Sequence, residues 1–178
     1  MNYHNITYPD QNNGDGLRVV LWLSGCSHHC KGCQNPQTWD KNSGIEFDEK
    51  AKQEIFEQLK QKYISGITFS GGDPLHENNI DELYQLILDI KGTFPEKTLW
   101  LYTGYTWEEL FDFTNNSRKN VMRRNIIYLC NVVVDGKYIQ QLRDVSLHWC
   151  GSSNQRVIDV QRSIQSLYPQ NNIICWNS

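Results

Sequence analysis

Four short apolar runs divide the chain, and each of them ends at a glycine-containing turn. The first, R-V-V-L-W-L at residues 18–23, is bounded by glycines on both sides and leads into a polar loop. Runs of similar apolar character lie at residues 66–70, 98–102 and 126–134. Their length and composition predict buried strands, and I-I-C at residues 173–175 predicts a last, short strand.

Amphipathic stretches separate these runs. Between residues 48 and 63 apolar side chains recur every four positions, and residues 80–90 have the same one-sided pattern. The spacing predicts two amphipathic helices, followed by a short helix at residues 107–113, a polar loop near residues 115–120 and a helix at residues 157–167. Strands that alternate with helices predict βαβ units, a parallel sheet and ligand binding at the carboxyl ends of its strands.

The segments that follow the predicted strands carry the unusual residues of the chain. The first strand leads into S-G-C-S-H-H-C-K-G-C, and the others lead into G-G-D at residues 71–73, T-G at residues 103–104 and D-G-K at residues 135–137. Because the carboxyl ends of parallel strands meet at one edge of a sheet, the four segments are expected to form one composite site.

The composition restricts the function. A formal net charge of -3 over 178 residues, without a dense Lys/Arg run, argues against nucleic-acid binding. The polar N-terminal segment lacks the apolar core of a signal peptide, and nothing in the chain resembles a membrane span. Six cysteines without an export signal predict reduced thiols in the cytoplasm. The length is most simply that of one domain, residues 1–178.

Three of the cysteines, Cys26, Cys30 and Cys33, have the spacing C-x3-C-x2-C. Three thiolates on one short loop can converge on a single iron–sulfur cube and leave its fourth iron without a protein ligand. The alternative is a structural zinc site, which requires a closed set of four ligands, so that His28, His29 or a distant cysteine would have to supply the fourth. Both histidines are interpreted as loop residues or as neighbours of the ligands, and iron is the favoured metal.

The other strand ends allow a simpler interpretation as well. Residues 71–74 can form a tight turn in which Asp73 caps the next segment, and residues 135–137 can form an ordinary turn. Residues 103–104 can line a site or only turn the chain. The segment at residues 151–156 can cap a helix, close the site or contact a partner.

Seven short segments follow one another in a fixed order through most of the chain: M-N-Y, N-G-D-G-x-R, S-G-C-x-H-x-C-x-G-C, S-G-G-D-P-L, W-x-Y-T-G-Y, V-V-V-D-G-K and G-S-S-N-Q-R. Together they resemble the radical S-adenosylmethionine activating enzymes of glycyl-radical proteins. The fold that this resemblance implies is an α/β protein with a mostly parallel sheet, an incomplete (β/α) barrel of the radical S-adenosylmethionine type. A complete eight-fold barrel needs about 250 residues, more than the chain has.

The resemblance also implies a site. Cys26, Cys30 and Cys33 would hold a 4Fe–4S cluster, and the amino and carboxylate groups of S-adenosylmethionine would bind its fourth iron. Reductive cleavage of S-adenosylmethionine would then give methionine and a 5′-deoxyadenosyl radical. The residues implied in cofactor binding are Gly32, Cys33, Gln34, Gly71, Gly72, Asp73, Asp135 and Lys137.

The radical is expected to take a hydrogen atom from a glycine of a partner protein. The partner that the resemblance implies is the large subunit of an anaerobic ribonucleoside-triphosphate reductase, and the electron donor would be a protein such as flavodoxin. A different glycyl-radical enzyme, such as pyruvate formate-lyase, or a small molecule are alternative targets. A zinc-binding structural module is the alternative from another class of protein.

Overall fold

The computed structural model describes residues 1–165 and 173–176. In this part of the chain seven strands form one sheet: β1 Asn2–Asp10, β2 Leu17–Leu23, β3 Ile45–Glu46, β4 Ile64–Gly71, β5 Thr98–Tyr102, β6 Val132–Asp135 and β7 Arg156–Asp159. The α-helices of the same part are α1 Glu49–Leu59, α2 Ile80–Thr93, α3 Trp107–Leu110, α4 Arg118–Leu129 and α5 Val160–Ser163. Two 3-10 turns lie in loops, at Pro36–Thr38 and at Gln140–Leu142.

The order of strands across the sheet is β3-β1-β2-β4-β5-β6-β7. The four central strands β2, β4, β5 and β6 run parallel, whereas β1, β3 and β7 join antiparallel at the two edges. The predicted α/β class and the parallel centre are therefore confirmed. Because β3 and β7 form opposite edges, the sheet is open, and the barrel shape of the radical S-adenosylmethionine type stays a prediction.

The main core lies between one face of the sheet and the helices α1, α2 and α4. Alternate side chains of β2, at Val19, Leu21 and Leu23, point to this face and are fully buried. Burial of such side chains supplies most of the free energy that favours folding. The core thus lies on the face of the sheet opposite to the site described below.

The two predicted amphipathic helices are confirmed. The carboxylate of Asp48 caps α1 by accepting hydrogen bonds from the backbone amides of Lys50 and Ala51. The helix ends at Leu59, so Tyr63 lies beyond it and is exposed. In α2 the predicted apolar face is buried along its whole length.

The prediction of one strand over residues 126–134 is wrong. Residues up to Leu129 belong to α4, and only Val132–Asp135 forms a strand. The hydroxyl of Ser117 caps α4, within the segment predicted to be a polar loop. The polar residues of this segment are compatible with a packed helix, because one of them is accommodated inside the protein. The guanidinium of Arg124 is buried and donates a hydrogen bond to the carbonyl of Asp112.

Two predictions for the C-terminal part of the chain also differ from the structure. Residues 156–159 form β7 rather than a helix, because their β-branched side chains pair with β6. Only Val160–Ser163 is helical, and residues 166 and 167 of the predicted helix lie outside the described residues. The predicted last strand is reduced to a single bridge between Cys175 and Ile158.

The remaining predicted helix is shorter than expected. It is α3, which ends at Leu110 instead of residue 113. Strand β1 was not predicted, because its polar alternation does not give an apolar run. None of the described helices has the length and apolar character that a membrane crossing requires.

Candidate functional site

A cavity of about 370 Å³ lies on the face of the sheet that the large helices leave uncovered. This volume falls within the range of small-molecule sites, about 300–1,000 Å³. Each of the four predicted strand-end segments contributes to its wall, which confirms that they lie around one cavity. The wall residues from these segments, with Gln34 directly after the first of them, are Cys26, His28, Cys30, Cys33, Gly71, Gly72, Asp73, Thr103, Gly104 and Gly136.

Other wall residues were not predicted from the sequence. Trp22, Ser70 and Tyr102 point into the cavity from within β2, β4 and β5, and Tyr138 and Trp149 approach it from the chain between β6 and β7. The first three occupy the strand positions that alternate with the main core. Because successive side chains of a strand point to opposite faces of the sheet, the orientation of these three residues could have been predicted from the sequence. No local sequence pattern indicates that Tyr138 or Trp149 lies at the cavity.

The three loop cysteines carry free, half-buried thiols that face this cavity. Burial raises the pKa of Cys26 to about 11, and it raises the pKa of Cys30 as well. Within residues 1–165 and 173–176, no three His, Cys, Asp or Glu side chains converge closely enough to hold one metal ion. The donor chemistry fits an iron–sulfur cluster, because three free thiols lie on the wall of one cavity.

Backbone hydrogen bonds hold the start of the cysteine loop in place. The amide of Gly25 donates to the carbonyl of Thr38 at 2.8 Å, and the amide of Cys26 donates to the carbonyl of Trp39 at 3.0 Å. From the other side, the amide of Asp73 donates to the carbonyl of Gly25 at 2.8 Å. The loop is thus fixed between the 3-10 turn and the end of β4.

The glycines after β4 allow this close approach. Gly71 has a φ of +99°, and a Cβ atom there would lie 2.7 Å from the carbonyl oxygen of Leu23. A Cβ atom on Gly72 would lie 2.5 Å from the carbonyl oxygen of Gly25. Contacts this short exclude any side chain, so both glycines are required to bring β4 against the cysteine loop. The tight turn that was the simpler interpretation follows them, because the amide of His76 donates to the carbonyl of Asp73 at 2.9 Å and the carboxylate of Asp73 accepts from the amide of Leu75.

Asp73 is buried, and neighbouring protein groups saturate its carboxylate. Its Oδ1 accepts a hydrogen bond from the amide of Leu75 at 2.8 Å, and its Oδ2 accepts one from the amide of Gly104 at 3.1 Å. The hydroxyl of Thr103 donates to both oxygens at 3.0 Å, and Nε2 of His28 lies 2.7 Å from Oδ2. Any contact that this segment makes with a cofactor therefore falls to its backbone.

Asp135 and Lys137 lie apart from the cavity of the cysteines. They line a neighbouring cavity of about 500 Å³, together with Glu108 and Arg156. The carboxylate of Asp135 is buried and accepts hydrogen bonds from the amide of Trp107 at 2.7 Å and from Nε of Arg156 at 3.0 Å. Lys137 is exposed, and its charge opposes the rise in the pKa of Cys30, so it is the member of the pair that can act on the cysteine loop.

Gly32 and Gln34 flank Cys33 differently. Gln34 lines the cavity, whereas Gly32 packs outside it against Gln140. A Cβ atom on Gly32 would lie 2.9 Å from Cδ of Gln140, and its φ is +74°. Gly32 therefore allows the chain after β6 to cover the cysteine loop.

We expect Arg156→Met to lower the free energy of unfolding by about 2–3 kcal/mol, because it leaves the buried carboxylate of Asp135 without its charged partner. The matched change at the exposed partner, Glu108→Gln, should cost less than about 1 kcal/mol. Urea unfolding monitored by tryptophan fluorescence measures both values. Equal losses for the two variants would mean that Asp135 does not depend on Arg156.

A comparison with protein families shows the class of domain to which the chain belongs. A family model described as a 4Fe–4S single cluster domain matches residues 12–158, most of the chain and all three loop cysteines. The match favours the iron–sulfur interpretation of the cysteine loop over the structural zinc site. The chain therefore carries a 4Fe–4S single cluster domain.

Named relatives make the family more specific. The chain is 42% identical over 159 residues to the anaerobic ribonucleoside-triphosphate reductase-activating protein of Escherichia coli (strain K12), covering 88% of this chain and 97% of that protein. It is 40% identical over 157 residues to the protein of that name from Pasteurella multocida (strain Pm70), with coverages of 87% and 95%. The protein of the same name from Enterobacteria phage T4 is 39% identical over 157 residues, with coverages of 88% and 93%. The chain belongs to the family of anaerobic ribonucleoside-triphosphate reductase-activating proteins.

Proposed function

We propose that the chain is a radical S-adenosylmethionine activase: it uses a 4Fe–4S cluster to cleave S-adenosylmethionine reductively, and the resulting 5′-deoxyadenosyl radical generates the glycyl radical of an anaerobic ribonucleoside-triphosphate reductase. The observation that carries this proposal is the set of three free thiols, spaced C-x3-C-x2-C, on the wall of one cavity at the carboxyl edge of the sheet. The family match supports the cluster, and the names of the relatives support the target.

Cys26, Cys30 and Cys33 are the residues that would hold the cluster, each as a thiolate. When bound, the cluster and S-adenosylmethionine supply the one-electron reduction and the carbon radical. The protein contributes position and shielding: the loop is half-buried, and the cavity above it has room for a small molecule. Three protein ligands leave one position open, which is where a cofactor can bind.

The remaining proposed cofactor contacts divide into two groups. Gln34, Gly71 and Gly72 lie on the cavity wall, so they can contact S-adenosylmethionine directly. Asp73 and Asp135 would act through the neighbours that saturate their carboxylates. Gly32 would act by letting the loop pack, and Lys137 would act through its exposed charge.

The substrate of the radical would be a glycine on another protein. We propose the anaerobic reductase as the partner and a small one-electron carrier of the flavodoxin type as the donor. Six reduced thiols and an iron–sulfur cluster are consistent with the cytoplasm, where thiols stay reduced.

The function is tested by mixing the anaerobically reconstituted chain with the reductase, S-adenosylmethionine and a reductant, and recording the electron paramagnetic resonance spectrum. The expected result is a glycyl-radical doublet on the reductase, with release of 5′-deoxyadenosine. Omission of S-adenosylmethionine is the control. A doublet that forms on pyruvate formate-lyase and not on the reductase would contradict the proposed target while keeping the chemistry.

We expect Lys137→Gln to weaken the binding of S-adenosylmethionine about tenfold without loss of iron, because the ammonium group is near enough to oppose the rise in the pKa of Cys30 and can pair with the carboxylate of the cofactor. Lys31→Gln, the same change at an exposed lysine of the cysteine loop, is the matched control and should leave the affinity unchanged. Equilibrium binding to the reconstituted protein measures both. Equal affinities for the two variants would remove Lys137 from the site.

A further inference from the structure

His28 stands between two of the cysteines, yet it is not a solvated loop residue. Its side chain is only 7% exposed, and Nε2 lies 2.7 Å from Oδ2 of Asp73 at the end of β4. The side chain of His28 therefore connects the loop between Cys26 and Cys33 to the end of another strand, β4. A buried polar ring requires such a partner, since an unpaired one would lose stability.

Asp73 is the shared acceptor of three chain segments. The amides of Leu75 and Gly104 can only donate hydrogen bonds, so the carboxylate accepts from both of them. The same carboxylate faces the ring of His28, which must then present Nε2–H toward it. One buried carboxylate thus joins the cysteine loop to the ends of β4 and β5.

The surroundings fix the ring of His28 in one orientation. A Cβ atom on Gly104 would lie 2.4 Å from Cδ2 of the ring, so the ring rests directly against the backbone of this glycine. On another side, the rings of Tyr105 and His28 meet edge-on at 4.8 Å. The guanidinium of Arg123 lies over the ring of Tyr105 at 4.4 Å and its Nε donates a hydrogen bond to the carbonyl of Leu75.

We infer that His28 is a positioning residue: its hydrogen bond to Asp73 holds the cysteine loop against the carboxyl edge of the sheet and so sets where Cys26 and Cys30 present their thiols. This inference rests on the proposed function for the role of the loop, but the anchoring itself does not need a bound cluster. Cys26, Cys30 and Cys33 remain the proposed cluster ligands, and the contact of Nε2 with Asp73 fixes the orientation of the His28 ring beside them. The residues next to metal ligands often control their orientation in this way.

The anchoring is tested first in the full, cluster-free chain by amide hydrogen exchange of the peptide that spans the cysteine loop. In His28→Asn the amide is too short to reach Asp73, and exchange in the loop should become about tenfold faster, as expected for loss of one charge-assisted hydrogen bond. His28→Gln places an N–H where Nε2 stood and should restore slow exchange. The matched control is His29→Asn, which removes a ring stacked on Trp39 at a φ of +47° that asparagine tolerates.

The cluster-loaded protein provides the second measurement. After reconstitution, His28→Asn should lose iron to a chelator roughly tenfold faster than the unchanged protein, and the line shape of its reduced cluster should change. His28→Gln and His29→Asn should match the unchanged protein. A purely structural role of His28 would lower the unfolding midpoint without changing the spectrum.

The inference is overturned if His28→Asn exchanges as slowly as the unchanged protein, if His29→Asn has the same effect, or if His28→Gln does not restore the loop. Gly104→Ala displaces the ring while keeping both partners, so it gives the same test if His28→Asn does not fold. If the unchanged protein takes up no cluster, the proposed function fails, while the exchange data still decide whether the loop is anchored.

Discussion

Replacement of any one of Cys26, Cys30 or Cys33 by alanine should reduce cluster binding and S-adenosylmethionine cleavage to background, while the chain stays folded. The proposed site provides only three protein ligands, so a variant with two thiolates would not hold the cluster stably. The fold should survive because the thiols are half-buried on the cavity wall, away from the main core. Iron and sulfide content per chain, together with 5′-deoxyadenosine release, measures the loss.

Cys150→Ala is the matched control for these variants. Cys150 lines the same cavity with a free thiol, but it lies outside the cysteine loop. Its replacement should leave iron content and cofactor cleavage unchanged. Full cleavage by a Cys30→Ala variant would contradict the assignment of the cluster ligands.

Replacement of Arg18 by methionine should lower the free energy of unfolding by about 3–5 kcal/mol, a loss in the range reserved for disruption of a buried polar network. Arg18 is fully buried within β2, and neutral oxygens accept all of its hydrogen bonds. The acceptors are the hydroxyls of Thr68 and Thr98 and the carbonyls of Asp15, Ile67 and Thr98.

The loss follows from what methionine leaves behind. The carbonyl and hydroxyl oxygens around Arg18 would stay buried without a donor, and its stacking contact with Trp100 at 5.4 Å would lose its charge. The loop that contributes Asn13 to the cavity wall would also lose the hydrogen bond from Arg18 to the carbonyl of Asp15. Arg18→Lys should recover only part of the stability. Lysine keeps a positive charge and hydrogen-bond donors, but its ammonium group has fewer donors than a guanidinium.

Chemical denaturation measures the effect, with Arg118→Met as the matched control. Arg118 is an exposed arginine paired with Asp81, and its replacement should change the free energy of unfolding by no more than about 1 kcal/mol. A loss below about 1 kcal/mol for Arg18→Met as well would mean that the network does not contribute to folding.

The sequence predicted the arrangement of the site because the relevant signals are local. A short apolar run that ends in glycine predicts a strand and its end, and parallel strands bring their ends together. The cysteine loop and residues 71–73 therefore could be assigned to one cavity from the sequence. The spacing of Ala51, Ile55 and Leu59 likewise predicts α1 with its buried face.

The errors have a common physical cause: the deciding contacts are distant in the sequence. Residues 126–129 are as suited to a strand as to a helix, and the packing of α4 against α2 decides for the helix. The β-branched residues of β7 were read as a helix because their partner strand, β6, is 20 or more residues away. Antiparallel pairing of β1 with β2 gives no local signal at all.

The partners of the buried polar residues could not be predicted either. Arg18 stands at the start of an apolar run, and nothing nearby indicates that Thr68 and Thr98 accept its hydrogen bonds. Asp73 could be assigned to a turn, but its contact with His28 spans 45 residues. The resemblance implied cofactor contact for Asp73, and the structure adds that protein groups already donate hydrogen bonds to its carboxylate.

The central claim is that the cysteine loop holds a cluster with one open iron, and the most direct test is made under anaerobic conditions. The chain is reconstituted with iron and sulfide and reduced, and its electron paramagnetic resonance spectrum is recorded with and without S-adenosylmethionine. The predicted result is the signal of a reduced 4Fe–4S cluster that changes when S-adenosylmethionine is added. A colourless protein that is silent in this measurement and retains zinc would contradict the account.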